Sequence, residues 1–156
     1  MITNRRKILE LWRKCKSTSF GYDSQNNKNK IDFNFAKDFF IKELENGGYK
    51  CIGDGAYKLV FSKKNIDFVI KVFHTGSIDE KISSSFRFYK DYVHPYYFDG
   101  VMSIQQKVNT KNKDNAFSFF EKKFGKDYCE IYDINPENVG WIKEVPVIFD
   151  FVACEI

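Results

Sequence analysis

Oxygen-bearing side chains are concentrated in one stretch of the chain, IYDINPENVGW at residues 131–141. Asp133 precedes Asn138 by five positions, and a predicted hairpin that begins at Val139 would return the chain at Asp150. Paired strands lie roughly 5 Å apart, so the Asn138 amide and the Asp150 carboxylate can share a cation at the hairpin mouth. Mg²⁺ suits such a site because it takes few protein oxygens and keeps water and phosphate as its other ligands. Asp133 would then face whatever group lies beside the metal.

A lysine interrupts the apolar strand pattern of FVIKVF, residues 68–73. Strand alternation places Val69, Lys71 and Phe73 on one face, so Lys71 lies in a row that is otherwise apolar. A buried ammonium group is costly unless an anion or a carboxylate meets it, and this favours an anionic partner. The alternative is an edge strand, in which the lysine stem lies along the sheet and the ammonium reaches water.

Two glycines, Gly53 and Gly55, lie in the stretch GDGAYKLVF at residues 53–61. They would let the backbone approach a ligand closely and turn amide groups toward phosphate oxygens. The alternative is an ordinary hairpin turn that needs glycine for its backbone angles. The stretch at residues 131–141 has a similar alternative, because Asp, Asn and Pro are all good turn formers. Taken one at a time, the patterns leave both interpretations open.

The order of these patterns resembles the protein-kinase-like family. A glycine loop between strands is followed by a lysine on the next strand, a helix, an Asp-x-x-x-x-Asn motif and a hairpin that ends in Asp-Phe. The resemblance runs from about Tyr49 to Phe151. It also implies a glutamate partner for the lysine, for which Glu80 is the best candidate. The roles it implies are nucleotide cover for Gly53 and Gly55, a phosphate contact for Lys71, the catalytic aspartate for Asp133, and Mg²⁺ ligands for Asn138 and Asp150.

Several positions depart from the pattern of that family, and the chain stops five residues after Phe151. We therefore expect neither an activation segment nor a helical platform for a peptide substrate. These departures indicate a kinase core reduced to its nucleotide site. They are Lys58 in place of the third loop glycine, Ile131 and Tyr132 in place of His-Arg, Asn135 in place of a lysine, and Val152 in place of the glycine after Asp-Phe.

The resemblance implies ATP and Mg²⁺ as cofactors and two classes of function. In the first, the chain is a phosphotransferase that acts on a protein partner, on a small molecule or on itself. In the second, it is a pseudokinase, a binding module that inhibits or regulates a partner without catalysis. Retention of the lysine, the amide and the carboxylates favours the enzyme, whereas loss of the loop glycine and of the substrate platform favours the module.

Composition bounds the remaining possibilities. A chain of 156 residues that is 43% hydrophobic fits one domain, and we expect a cytoplasmic protein without a leader or membrane span. The four cysteines lack paired spacing and are expected to be reduced thiols. The net charge of +4 is mild, so we expect no nucleic-acid partner, and steep salt dependence of binding would argue otherwise. Richness in Asn, Lys, Ile, Phe and Tyr suits a compact genome such as that of a bacteriophage, which would place the protein in the host cytoplasm.

The elements that position these groups follow from periodicity, and together they predict an α+β fold. We expect a minimal protein-kinase-like fold, with a small antiparallel sheet lobe and a reduced helical lobe that carries the catalytic-loop hairpin. It forms one domain over residues 1–156, with a helical extension at 1–46, a sheet lobe at 49–108 and a reduced C-terminal lobe at 109–156. The basic, amphipathic segment 5–16 is expected to dock its apolar stripe onto the protein rather than onto a membrane or nucleic acid. Helices are predicted at 5–16, 33–46, 77–92 and 114–125, a mobile connection at 17–30, a three-stranded meander within 49–73, a strand at 101–108, and a hairpin at 138–151 with its turn near Lys143 and Glu144.

Overall fold

The chain folds as an α+β protein whose sheets are antiparallel. A computed structural model describes residues 4–23, 25, 28–54, 58–74 and 89–149. The chain divides into two compact units, Met1–Ser77 and Ile78–Ile156. Within the described stretches, no helix combines the length and the apolar character that a membrane span requires.

Two packed helices build much of the first unit. Helix α1 spans Arg5–Ser17 and helix α2 spans Phe33–Asn46, which confirms both predicted helices. The Asp32 carboxylate accepts from the Phe35 amide at 3.1 Å, so Asp32 is the residue that caps α2. The rings of Trp12 and Phe40 lie 5.2 Å apart at the contact between the helices. Each helix buries one apolar stripe, which consists of Ile8, Trp12 and Cys15 on α1 and of Ala36, Phe40 and Leu44 on α2.

A two-stranded hairpin connects the two helices, where the polar composition predicted a mobile connection. Strand β1 spans Phe20–Asp23 and pairs antiparallel with β2, Lys28–Ile31. The hairpin is anchored at its base, because the Asp32 amide donates to the Ser19 carbonyl at 2.8 Å and the buried Ser19 hydroxyl donates to the Cys15 carbonyl at 2.6 Å. The prediction was therefore wrong, because it considered composition and not the hydrogen bonds that join the two ends.

A three-stranded antiparallel meander completes the first unit, as predicted. Strand β3 spans Lys50–Asp54, β4 spans Lys58–Ser62 and β5 spans Phe68–Phe73. Strand β4 lies in the middle and pairs with both neighbours. The side chains of this sheet that are buried include Phe61, Phe68, Ile70, Lys71 and Val72.

The second unit contains two further antiparallel pairs and two helices, and it confirms the predicted strand, the helix near 114–125 and the hairpin turn. The predicted helix at 77–92 falls mostly on residues 75–88, which lie outside the described residues, and a π-helical turn follows at Tyr89–Val93. The sequence did not predict the short helix α4. The elements are β6 (Tyr97–Phe98), β7 (Met102–Gln106), α3 (Lys113–Phe124), α4 (Lys126–Ile131), a 3-10 turn (Pro136–Asn138), β8 (Val139–Ile142) and β9 (Val145–Ile148).

A glycine on β8 allows another segment of this unit to cross close to the hairpin. The backbones of Asn109 and Trp141 exchange two hydrogen bonds of 2.9 Å. A Cβ atom on Gly140 would lie 2.4 Å from the Val108 side chain and 2.6 Å from the Asn109 carbonyl oxygen, so this position has no room for a side chain. Beneath the crossing is a buried core that consists of Ala116, Phe120, Cys129, Ile134, Val139 and Ile148.

Candidate functional site

Gly53 and Lys71 lie in one row across the meander. Val60, on the middle strand, is the register partner of Gly53 on one side and of Lys71 on the other. Partnered residues of antiparallel strands project to the same face, so Lys71 and the position that a side chain on Gly53 would take share a face of this sheet, where a Cβ atom on Gly53 would contact the Val60 side chain at 3.4 Å. Two strand spacings separate their backbones, which is about 10 Å. A β-bulge between Cys51 and Gly53 brings the glycine into this row.

The side chain of Lys71 is buried, with 4% of its surface exposed. Val69 and Phe73, which share its face of β5, are half-buried, whereas the buried Phe68, Ile70 and Val72 lie on the other face. The low exposure of Lys71 itself distinguishes it from a lysine whose ammonium group reaches water at an exposed edge strand. The cost of burying an ammonium group means that this position is occupied by lysine for its charge or hydrogen bonds and not for packing alone.

Asp133 occupies the left-handed position that ends helix α4. Its φ angle is +54°, a region that asparagine and aspartate enter more readily than most residues other than glycine. The next residue fixes this geometry, because the Ile134 amide donates to the Cys129 carbonyl at 2.8 Å and the Ile134 side chain is buried. The turn therefore leaves the Asp133 carboxylate exposed, outside the core.

Two asparagine amides meet the carboxylate of Asp133. Asn135 donates to one carboxylate oxygen at 2.9 Å. Asn138 donates to the backbone oxygen of Asp133 at 2.8 Å and to the other carboxylate oxygen at 3.3 Å. Because the amide nitrogen of Asn138 faces Asp133, its amide oxygen points the other way. The predicted catalytic residue and one predicted metal ligand are thus brought together in this loop.

The return of the hairpin brings the chain back to Asn138. The Phe149 amide donates to the Asn138 carbonyl at 3.0 Å, one step beyond the paired residues Val139 and Ile148. This agrees with the expected hairpin mouth. Asp150, the residue after Phe149, lies outside the described residues, as do Gly55 and Glu80. Their predicted roles stay predictions.

The oxygen ligands in this loop fit Mg²⁺ better than a transition metal. The described ranges contain no group of three His, Cys, Asp or Glu side chains that could hold a metal ion. The amide oxygen of Asn138, which does not face Asp133, is a hard donor of the kind that suits a metal that keeps most of its water and phosphate ligands. Asp150, the other donor that the sequence predicts, lies outside the described residues.

A stack of aromatic rings leads to the loop from helix α3. The ring centroids of Phe124 and Tyr128 lie 4.9 Å apart, and those of Tyr128 and Tyr132 lie 4.4 Å apart. Burial raises the pKa of Tyr128, and Tyr132 raises it further through its charge and a side-chain hydrogen bond. Tyr132 immediately precedes Asp133, so this stack packs against the end of α4 from which the loop departs.

Sequence reasoning missed the part that Asn135 plays in the loop. It was noted as a departure from the kinase pattern, yet its amide contacts Asp133 and its side-chain oxygen accepts from the Glu137 amide at 2.9 Å. The signal was present, because an asparagine directly before Pro136 is a frequent start of a helical turn. Asn135, where the kinase-like pattern would have a lysine, therefore supplies a contact that holds Asp133.

Comparison of the chain with protein-family models, with curated proteins and with solved structures found no match in any of the three.

Proposed function

We propose that this chain is an ATP- and Mg²⁺-dependent phosphotransferase with a minimal protein-kinase-like fold. The observation that carries the proposal is the contact between Asn138 and Asp133, in which the amide of the predicted metal ligand holds the predicted catalytic aspartate. The two residues are five positions apart, and the left-handed turn that ends helix α4 at Asp133 brings them together.

The glycine and lysine row supports the same proposal from the first unit. Gly53, Val60 and Lys71 are in register, so an anion on this face of the sheet could contact the lysine and approach the backbone at Gly53. Phosphoryl transfer asks a protein for positioning and charge neutralisation more than for covalent chemistry. In the proposal, Gly53, Gly55 and Lys71 hold the nucleotide phosphates, and Glu80 orients Lys71.

The proposed chemistry at the loop follows from the side chains present. Asn138 and Asp150 would hold Mg²⁺, which would neutralise the charge of the phosphate groups. The carboxylate of Asp133 accepts the proton of the attacking hydroxyl group or orients it. The acceptor is a protein partner, a small molecule or the chain itself, and the proposed compartment is the cytoplasm, that of the host if the protein is encoded by a phage.

A labelling experiment tests this proposal. Pure protein is incubated with Mg²⁺ and γ-labelled ATP, with and without cell extract, and the labelled products are compared between the parent and Asp133→Asn. Asparagine tolerates the left-handed backbone and keeps the side-chain shape, so the fold should persist. We expect labelling to fall by about 100-fold or more, as is typical when a general base is lost, while Mg²⁺–ATP binding persists.

The matched control is Asp127→Asn, which removes an exposed carboxylate from the first turn of helix α4. This variant should label acceptors at the parental rate. Parental labelling by Asp133→Asn would contradict the enzymatic proposal. Failure of the parent chain to bind Mg²⁺–ATP would contradict the nucleotide site as well.

A pseudokinase is the second candidate function, and one observation favours it. Both carboxylate oxygens of Asp133 already accept side-chain amides, from Asn135 and Asn138, as a residue with a purely structural role would. In that case the protein acts by occupying a partner. Mg²⁺–ATP binding without labelled product in any extract, together with full biological activity of Asp133→Asn, would select this candidate.

A further inference from the structure

Helix α1 carries the positive charge of the whole protein. Its thirteen residues include six lysines and arginines and one glutamate, so α1 has a net charge of +5, whereas the whole chain has +4 and the rest therefore −1. Three of the four arginines in the chain, Arg5, Arg6 and Arg13, lie on this helix. The net positive charge of the protein thus lies on one helix about 20 Å long, and the positive and negative charges of the remaining residues nearly cancel.

The exposed face of α1 is polar throughout. The apolar stripe of Ile8, Trp12 and Cys15 is fully buried in the first unit, so the hydrophobic face of the helix packs against the protein itself, as predicted. The exposed residues of the helix, which we call the α1 basic face, are Arg5, Arg6, Lys7, Glu10, Arg13, Lys14 and Ser17.

Three cations stand at the end of the helix where they are least favourable. Asn4 caps α1, and Arg5, Arg6 and Lys7 form its first turn, which contains no acidic residue. The helix dipole places partial positive charge at this end, which disfavours all three cations, and Arg6 additionally pairs with Glu10 at 3.2 Å. Departures from such a local rule are expected mainly where function requires them.

We infer that the α1 basic face binds the phosphate backbone of double-stranded nucleic acid without sequence preference. Arginine forks match phosphate oxygens, and nucleic-acid interfaces are more polar and more positively charged than those between proteins. A membrane helix would instead insert an apolar face, and a protein partner would seek aromatic or aliphatic anchors. The exposed residues of α1 offer neither. This inference is independent of the proposed phosphotransferase activity.

The test compares two variants of the intact chain that lose the same charge. The first is Lys7→Gln/Arg13→Gln/Lys14→Gln, and all three residues are exposed on α1. The control is Lys42→Gln/Lys64→Gln/Lys122→Gln, which removes three exposed lysines from elsewhere. Binding to a labelled duplex of random sequence is measured by fluorescence anisotropy from about 50 to about 200 mM salt.

We expect the parent to bind with a steep salt dependence. The α1 variant should bind about tenfold more weakly or worse and lose about three units of slope in log K against log salt, whereas the control should stay close to the parent. Thermal unfolding supplies a second readout, because Lys7→Gln alone removes a first-turn cation and should leave Tm equal to or above that of the parent while weakening the duplex complex.

Several outcomes would overturn the inference. One is an equal loss of duplex affinity in both triple variants, which would mean that binding depends on total charge and not on α1. Another is that the parent binds vesicles of phosphatidylserine and phosphatidylcholine through α1 but does not bind the duplex. A third is competition by polyglutamate as effective as that by unlabelled duplex at equal charge, which would indicate an acidic protein partner. Absence of duplex binding by the parent would also overturn it.

Discussion

Asn138 holds Asp133 by two hydrogen bonds, to its backbone oxygen at 2.8 Å and to its carboxylate at 3.3 Å. The same residue receives the Phe149 amide on its carbonyl oxygen at 3.0 Å. Asn138 therefore joins the end of helix α4 to the far strand of the hairpin, and its side chain and its backbone act on different neighbours. A substitution can remove the first connection and leave the second.

Asn138→Ala is expected to release Asp133 while the backbone contact with Phe149 remains. The loss of two side-chain hydrogen bonds that are largely exposed should cost about 1 kcal/mol of unfolding free energy, measured by denaturant titration. If Asn138 also binds Mg²⁺, the affinity for Mg²⁺–ATP should fall by about tenfold or more, measured by calorimetry. The control is Asn115→Ala, at an exposed position on helix α3. Unchanged nucleotide affinity in Asn138→Ala would remove this residue from the metal site.

Lys71→Met tests the proposed contact between Lys71, in the first unit, and the nucleotide phosphates. Methionine keeps the length of the buried stem and removes the ammonium group, so the packing around the stem should change little. If the ammonium contacts nucleotide phosphates, affinity for ATP should fall by about tenfold or more, because a charge-assisted contact is lost. Lys50→Met is the control, since Lys50 is exposed on β3. Circular dichroism would confirm that both variants fold, and parental affinity in Lys71→Met would argue against its proposed role.

Gly140→Ala should destabilise the second unit. The added carbon would lie 2.4 Å from the Val108 side chain and 2.6 Å from the Asn109 carbonyl oxygen, and backbone cannot move aside as a flexible side chain can. We expect a loss of about 2–3 kcal/mol of unfolding free energy, as in overpacked cores. Gly21→Ala is the matched control, because its added carbon meets only the Asp32 side chain at 3.8 Å. Equal stability of the two variants would mean that the crossing segment can shift.

Local signals in the sequence were enough to predict most of the helices and the meander. Helix α2 begins and ends as predicted because a capping aspartate and a terminal glycine, Asp32 and Gly47, lie beside an apolar stripe. Both signals act within a few residues of the chain, so they can be identified without a structure. The alternation of FVIKVF likewise predicted β5 and placed Lys71 in an apolar row.

Contacts between distant residues could not be predicted in the same way. The β1 strand depends on pairing with β2 and on the anchor between Ser19 and Asp32, which its polar composition does not reveal. The crossing of Asn109 over Gly140 joins segments that are about thirty residues apart, and periodicity carries no information about it. In the candidate site, the residue types and spacing were predictable, but the left-handed backbone of Asp133 follows from the end of helix α4, a helix that the sequence did not predict.

Lys37 provides a prediction for the pH dependence of stability. This buried residue of α2 donates to the carbonyls of Phe73 and His74 at 3.1 and 2.9 Å, and burial lowers its pKa below the usual 10.5. In the range between the lowered pKa and 10.5, the unfolded chain binds more protons than the folded chain, so stability rises with pH. The stabilisation is complete above 10.5 and is lost as the pH falls through the lowered pKa.

The measurement is the difference in unfolding free energy between the parent and Lys37→Met, from about pH 8 to about pH 10. We expect this difference to increase in favour of the parent as pH rises. Taking a difference matters because burial raises the pKa of Tyr49 from 10.0, so that the contribution of Tyr49 to stability is lost as pH rises in both proteins. Lys42→Met, at an exposed position of the same helix, controls for the substitution itself. A constant difference would show that Lys37 titrates alike in the folded and unfolded chain, and a difference that shrinks with rising pH would show that folding raises its pKa; either would contradict the prediction.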